Sequence, residues 1–117
     1  MILAGSYREK DNLELFDART LKRLTSVDFS GPKGGVVNYT SSCKFGTMRN
    51  DEKVIVAGSC IGNQFAVFKK DITYKPEVYV GGIGKGVFTC GIASSSGSIF
   101  FGSGDGELCV SSLSSTI

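Results

Sequence analysis

Phe101-Gly102-Ser103-Gly104-Asp105-Gly106-Glu107-Leu108-Cys109-Val110-Ser111 is an apolar run closed by Gly-Ser, a glycine-rich turn, and a second short apolar run. Asp-Gly between two such runs is a hairpin signal, because the tight turn needs the positive φ that glycine adopts without steric cost. The same order occurs twice more. Ala4-Gly5-Ser6 is followed by a polar turn and Leu13-Glu14-Leu15-Phe16-Asp17, and Ala57-Gly58-Ser59 by a turn and Phe65-Ala66-Val67-Phe68-Lys69. The marker glycines Gly5, Gly58 and Gly102 lie 53 and 44 residues apart. Internal repetition on this scale means several similar strand units, none of which hides its apolar surface alone.

Composition agrees with strands. Sixteen glycines, only two prolines and 41% hydrophobic residues, with many Val, Ile, Phe and Tyr among Ser and Thr, favour short strands joined by tight turns over helix. The expected fold class is all-β. Thirteen Lys and Arg against eleven Asp and Glu give a net charge of +2 without a basic block, which argues against nucleic acid and membrane surfaces as partners. No apolar run approaches the roughly 18–20 residues of a spanning helix, and the N-terminus lacks the charged-then-apolar order of a signal peptide. A cytoplasmic location, with the cytoskeleton as a variant of it, is the resulting expectation.

Cys43, Cys60, Cys90 and Cys109 are separated by 17, 30 and 19 positions, a spacing unlike that of a zinc knuckle. Reduced, partly buried thiols are expected, with Cys90 and Cys109 in the core. The sequon Asn38-Tyr39-Thr40 matters only in a secreted protein.

The segment 87–113, with Ser95-Ser96-Gly97 and Gly102-Ser103-Gly104-Asp105-Gly106 as turns, resembles a WD repeat across three strands. Leu15-Phe16-Asp17, followed by Ala18-Arg19-Thr20-Leu21-Lys22, resembles the end of another, with Phe16 where that family usually has tryptophan. The second interval fits propeller repeats of about 40–45 residues, and the first needs a longer loop, from 31–35 or 46–53. The departures are the absence of Trp and His, which removes the His-Asp-Ser-Trp network of typical WD repeats and leaves apolar packing between blades, and the loss of the signature aspartate after Phe68 and Ser111. What the resemblance implies is a β-propeller segment of about two to three four-stranded antiparallel blades spanning 1–117, divided into an incomplete blade at 1–29, a complete blade at 36–80 and an incomplete blade at 87–113. Its strands are expected at 1–5, 13–16, 21–29, 36–45, 53–59, 64–69, 77–80, 87–93, 98–103 and 107–112. Such a segment does not close a ring on its own, and is expected to leave two unpaired strand edges and two apolar blade faces exposed.

No cofactor, metal or reaction is expected. Without histidine, Ser-His and Cys-His nucleophiles are excluded, and the acid pairs Asp51-Glu52 and Glu9 with Asp11 fall in polar turns. In Gly81-Gly82-Ile83-Gly84-Lys85-Gly86, Tyr79 stands where a phosphate loop needs its first glycine and Gly86 where it needs Ser or Thr, so nucleotide binding by this loop is a distant alternative. The leading function is a non-catalytic protein–protein interaction scaffold, part of a larger chain or multiprotein assembly, with other proteins as partners, including whatever completes the propeller. Attachment to a cytoskeletal or axonemal lattice is the alternative within that class. The partner-binding candidates are the loop residues Tyr7, Arg8, Lys10, Lys33, Asn63, Lys85 and Asp105, a mildly basic set suited to an acidic protein surface.

Overall fold

The strand-and-turn alternation gives an all-β chain, with 61% of the described residues in strands and no helix. The computed structural model of the protein describes residues 1–30, 37–48, 50–70, 73–81, 83–93 and 96–112. Ten strands follow one another: β1 (Ile2–Gly5), β2 (Leu13–Phe16), β3 (Arg23–Ser26), β4 (Tyr39–Thr47), β5 (Lys53–Ile61), β6 (Phe65–Lys70), β7 (Tyr74–Val80), β8 (Val87–Ala93), β9 (Ser98–Ser103) and β10 (Leu108–Ser112). They form three antiparallel sheets, β1-β2-β3, β4-β5-β6-β7 and β8-β9-β10, each a meander in chain order. The sheets are not closed on one another.

Register places the marker glycines at one equivalent point. Gly5 pairs with Leu13, Gly58 with Phe65 and Gly102 with Leu108. Two residues earlier, Leu3 pairs with Leu15, Val56 with Val67 and Phe100 with Val110, so three similar apolar rows cross three hairpins. Because successive side chains point to opposite faces of a strand, Ile55, Ala57, Ala66 and Phe68 share one face of the middle sheet, and Val54, Val56, Phe65 and Val67 the other. The first group packs with Leu13, Leu15, Val27 and Phe29 of the first sheet and its return segment, and the second with Val87, Cys90, Ile99 and Phe101 of the third. The middle sheet is therefore buried on both faces, which is why its central strands read as continuous apolar runs.

The glycines let the sheets approach. A Cβ on Gly5 would lie 2.6 Å from Thr40 Cγ2, and one on Gly58 would lie 2.2 Å from Val87 Cγ1. In both places the first strand of the following sheet lays a β-branched residue over the glycine of the sheet before it. At Gly102 the nearest atom is Thr89 Cγ2 of its own sheet, at 2.9 Å.

Several strand limits differ from the sequence expectation, each for a local reason. β3 spans four residues instead of 21–29 because Asp17 Oδ1 accepts from the amides of Arg19 and Thr20, Leu21 turns at φ 60°, and the pairing resumes only at Arg23. β4 starts at Tyr39 because Asn38 is engaged in side-chain hydrogen bonds; Val36, where the strand was expected to begin, lies outside the described residues. β7 begins at Tyr74 rather than 77 and carries Pro76, tolerated on an outer strand where no further neighbour needs its missing N–H.

The expectation of two exposed apolar sheet faces needs one amendment at the first sheet. On the first sheet, Glu14 occupies the position of Ala66 and Cys109, and it is 6% exposed beneath Arg8 (Nη2 to Oε1, 2.5 Å) and Arg23 (Nη1 to Oε2, 3.4 Å). Charged side chains occupy that position, while Ile2 on the same face is 42% exposed. On the third sheet the row residues Phe100, Leu108 and Val110 are 36%, 70% and 66% exposed, where their counterparts Leu13, Leu15, Phe65, Val56 and Val67 are at most 2% exposed.

Candidate functional site

The turns that carry the sequence candidates are built alike. Ser6 N donates to Asn12 O, Ser59 N to Gln64 O and Ser103 N to Glu107 O, all at 2.9 Å, so each Gly-Ser strand end is locked to the residue just before the next strand. The first two turns are tied to the sheets that follow, and the third to the loop that opens its own sheet. Thr40 N donates to Ser6 O (3.2 Å), Ile83 N to Asn63 O (3.3 Å) and Gly104 N to Gly86 O (3.1 Å), while a Cβ on Gly86 would touch the Cys60 backbone at 2.7 Å. The result is a continuous rim at one end of the stack.

Beneath the rim lies a buried polar network. Asn12 Nδ2 donates to the carbonyls of Phe29 (3.2 Å) and Asn38 (2.5 Å), and Asn38 Nδ2 donates to Gln64 Oε1 (2.8 Å). Ser59 Oγ donates to Asn38 Oδ1 (2.8 Å) and accepts from Gln64 N (3.2 Å). Asn12, Asn38, Ser59 and Gln64 are all nearly solvent-free, and because an unmatched buried amide costs about 1–3 kcal/mol the network fixes the turn of one sheet against the next. The expectation that apolar packing alone joins the sheets is thereby revised: side-chain amides and a hydroxyl also tie the first sheet to the second at this junction. Asn38, the sequon residue, has its side chain spent inside this network. The sequence signal was present as Gly-Ser followed four to six residues later by Asn12, Gln64 or Glu107 immediately before an apolar run.

The candidate residues distribute along this rim. The Tyr7 ring meets Tyr39 edge-on with centroids 4.8 Å apart, and its hydroxyl is held above its usual pKa first by a hydrogen bond with the Cys60 side chain. Arg8 spans the first turn, its guanidinium donating to Asp11 O (3.1 Å) as well as Glu14, and Lys10 stands exposed beside it. Lys10 lines a cleft of about 450 Å³ together with Glu9, Asp11, Asn12, Asp28 and Phe29. Asn63 takes the left-handed conformation, φ 53°, in the second turn. Lys85 and Asp105 sit on neighbouring turns, with the Asp105 carboxyl held below the ordinary range mainly by the Ser103 hydroxyl and to a smaller extent by Lys85. Lys33 lies outside the described residues. The structure thus brings together Tyr7, Arg8 and Lys10 on one turn and Lys85 with Asp105 on two neighbouring turns, with Asn63 between them.

The alternative phosphate-binding stretch leads into β8, a strand, so Lys85 does not open a helix whose amides could meet an anion. Among the described residues no three His, Cys, Asp or Glu side chains are grouped as metal ligands, and no helix is long and apolar enough to cross a membrane. Cys90 is buried and Cys43, Cys60 and Cys109 half-buried, all as free thiols, with burial pushing Cys43 up to about 11 and raising Cys90 as well. Set against family models, curated proteins and solved structures, the chain matches none.

Proposed function

We propose that the chain is a segment of a WD-repeat β-propeller, its three sheets being blades at 1–29, 36–80 and 87–113, and that it works as a non-catalytic protein-interaction scaffold. The observation that carries this reading is the rim: three equivalent turns, two bonded to the following sheet and the third to the loop that opens its own, with Tyr7, Arg8, Lys10 and Asp105 exposed on the turns and Lys85 exposed on that loop. A surface built by repetition and stiffened by a buried amide network loses little conformational entropy on docking, which favours recognition. Its aromatic and basic residues suit an acidic protein surface. The apolar rows left open on the third sheet support membership of a longer series, since an isolated face of that kind promotes association.

The test is charge reversal. Tagged chain and its Arg8→Glu/Lys10→Glu/Lys85→Glu variant are used to recover interacting proteins, with Lys22→Glu/Lys44→Glu/Lys75→Glu as a control of equal number away from the rim. The rim variant is expected to lose the specific set that the control keeps. An identical set from both variants refutes the reading.

A further inference from the structure

At the end of the middle sheet away from the rim, register lines up one side chain from each of its four strands. Thr47 pairs with Lys53 and Lys70 with Tyr74, and one step past the Val54–Lys69 pair β5 and β6 place Lys53 and Lys70 opposite each other. Alternation along the strands puts this row on the face that carries Ile55 and Phe68. Two ammonium stems therefore rise side by side from strands about 4.8 Å apart, and like charges directly opposite in a sheet cost stability.

The other face of the same strand ends treats a lysine differently. There Lys69 Nζ lies 3.6 Å from Glu52 Oε2 and 3.9 Å from Glu77 Oε1, two carboxylates around one ammonium. Lys53 and Lys70 are exposed, and neither forms an ion pair with a carboxylate of the described residues. This uncompensated pair faces a cleft of about 430 Å³ that the whole row lines. Phe45, one row inward on the same face and 43% exposed, gives the cleft an apolar wall, and half-buried Tyr74 places a second ring at its other side.

We propose that this row is an anion site for a phosphate monoester of an aromatic group, the dianion held between Lys53 and Lys70 and the ring lying along Phe45. A dianion offsets both ammonium charges where a single carboxylate offsets one, and its oxygens accept from two lysines and from the Thr47 and Tyr74 hydroxyls together. Every group that meets the ligand belongs to β4–β7. The site is separate from the rim and does not depend on the scaffold reading.

Amide NMR spectra of the full chain, titrated at constant ionic strength with inorganic phosphate, phenyl phosphate and benzoate, provide the test. Saturable shifts are expected at Thr47, Lys53, Lys70 and Tyr74, with phenyl phosphate about fivefold tighter than inorganic phosphate through the ring contact and about tenfold tighter than monoanionic benzoate. A capped tripeptide with a central phosphotyrosine separates the sources of the ester: equal or tighter binding assigns it to a peptide, weaker binding to a free small molecule. Lys53→Gln/Lys70→Gln is expected to weaken phenyl phosphate by about tenfold or more, and Phe45→Ser to remove the preference over inorganic phosphate. Lys53→Glu sets opposite charges across the strands, so it should raise the urea midpoint while abolishing binding, which separates loss of the site from loss of the fold. The Arg8→Glu/Lys10→Glu/Lys85→Glu variant is expected to keep the site. Shifts that rise without saturating, unchanged binding by the double glutamine variant, equal affinity for benzoate and phenyl phosphate, or equal loss in the rim variant overturns the proposal.

Discussion

Replacing Gly58 by alanine probes the stacking of the sheets with a single carbon. Gly58 has ordinary extended backbone, so alanine carries no φ penalty there and gains about 0.5–1 kcal/mol over glycine in a strand. Against that gain, the new Cβ would sit 2.2 Å from Val87 Cγ1 and 2.6 Å from Val87 Cβ, closer than carbon atoms tolerate. Rotation of Val87 relieves the first contact but not the second, so β8 must move away from β5. Overpacking of this kind costs about 1–3 kcal/mol, and the net loss is expected near 1–2 kcal/mol out of a total stability of roughly 5–15 kcal/mol, or about 4–8 °C in Tm. Val87→Ala alone loses about 1.5–3 kcal/mol through lost methyls and the space they leave. In the double variant the alanine at 58 fills part of that space, so the two losses should fall short of additivity by about 1 kcal/mol. Urea titrations followed by tyrosine fluorescence, since the chain has no tryptophan, and by circular dichroism give the four corners of the cycle. A neutral or stabilising Gly58→Ala, or additivity within about 0.3 kcal/mol, would refute the seating of Val87 over Gly58.

The same logic separates the three marker glycines: Gly5→Ala should couple to Thr40 across sheets, and Gly102→Ala only to Thr89 within its own sheet, as the same cycles would report. Ser59→Ala removes the donor to Asn38 and the acceptor for Gln64 N, and a loss of about 1–3 kcal/mol in urea titrations is expected, a value under 0.5 kcal/mol counting against the network. Because burial raises Cys43 to about 11, the unfolded chain gives up that proton first as pH climbs from the ordinary thiol value of 9.0. Stability is therefore full below pH 9 and declines between 9 and about 11, and Cys43→Ala should flatten that part of the urea-midpoint profile. Glu14→Leu should leave the far face of the first sheet apolar and strengthen the concentration dependence of sedimentation relative to the parent chain, whereas Leu108→Lys on the third sheet should lower dye binding to exposed apolar surface with little change in stability.

Much of the architecture was legible because it depends on neighbours along the chain. Gly-Ser followed by a polar turn and an apolar run yields a hairpin wherever it occurs, and the expected 87–93 and 98–103 strands coincide with β8 and β9. The ends moved where a side chain competes for backbone groups, as Asp17 does before β3 and Asn38 before β4. Of the candidate residues, Tyr7, Arg8, Lys10, Lys85 and Asp105 stand exposed and Asn63 is half-buried; the amides beneath them were not legible, because Asn12, Asn38 and Gln64 look like turn residues until their partners from other segments are in place.

By itself the sequence determined that the chain is all-β, that three similar hairpins recur at Gly5, Gly58 and Gly102, and that no imidazole is available for chemistry. Tertiary structure alone decided which faces meet. Leu15, Val67 and Val110 occupy one pattern position with similar side chains, yet two are buried and the third is 66% exposed. Glu14 and Ala66 likewise share a position, one under two guanidiniums and the other in an apolar interface. Alternation along a strand fixes which side a residue points to through short-range geometry. Whether anything lies on that side depends on segments far away in the chain, and no local pattern encodes it.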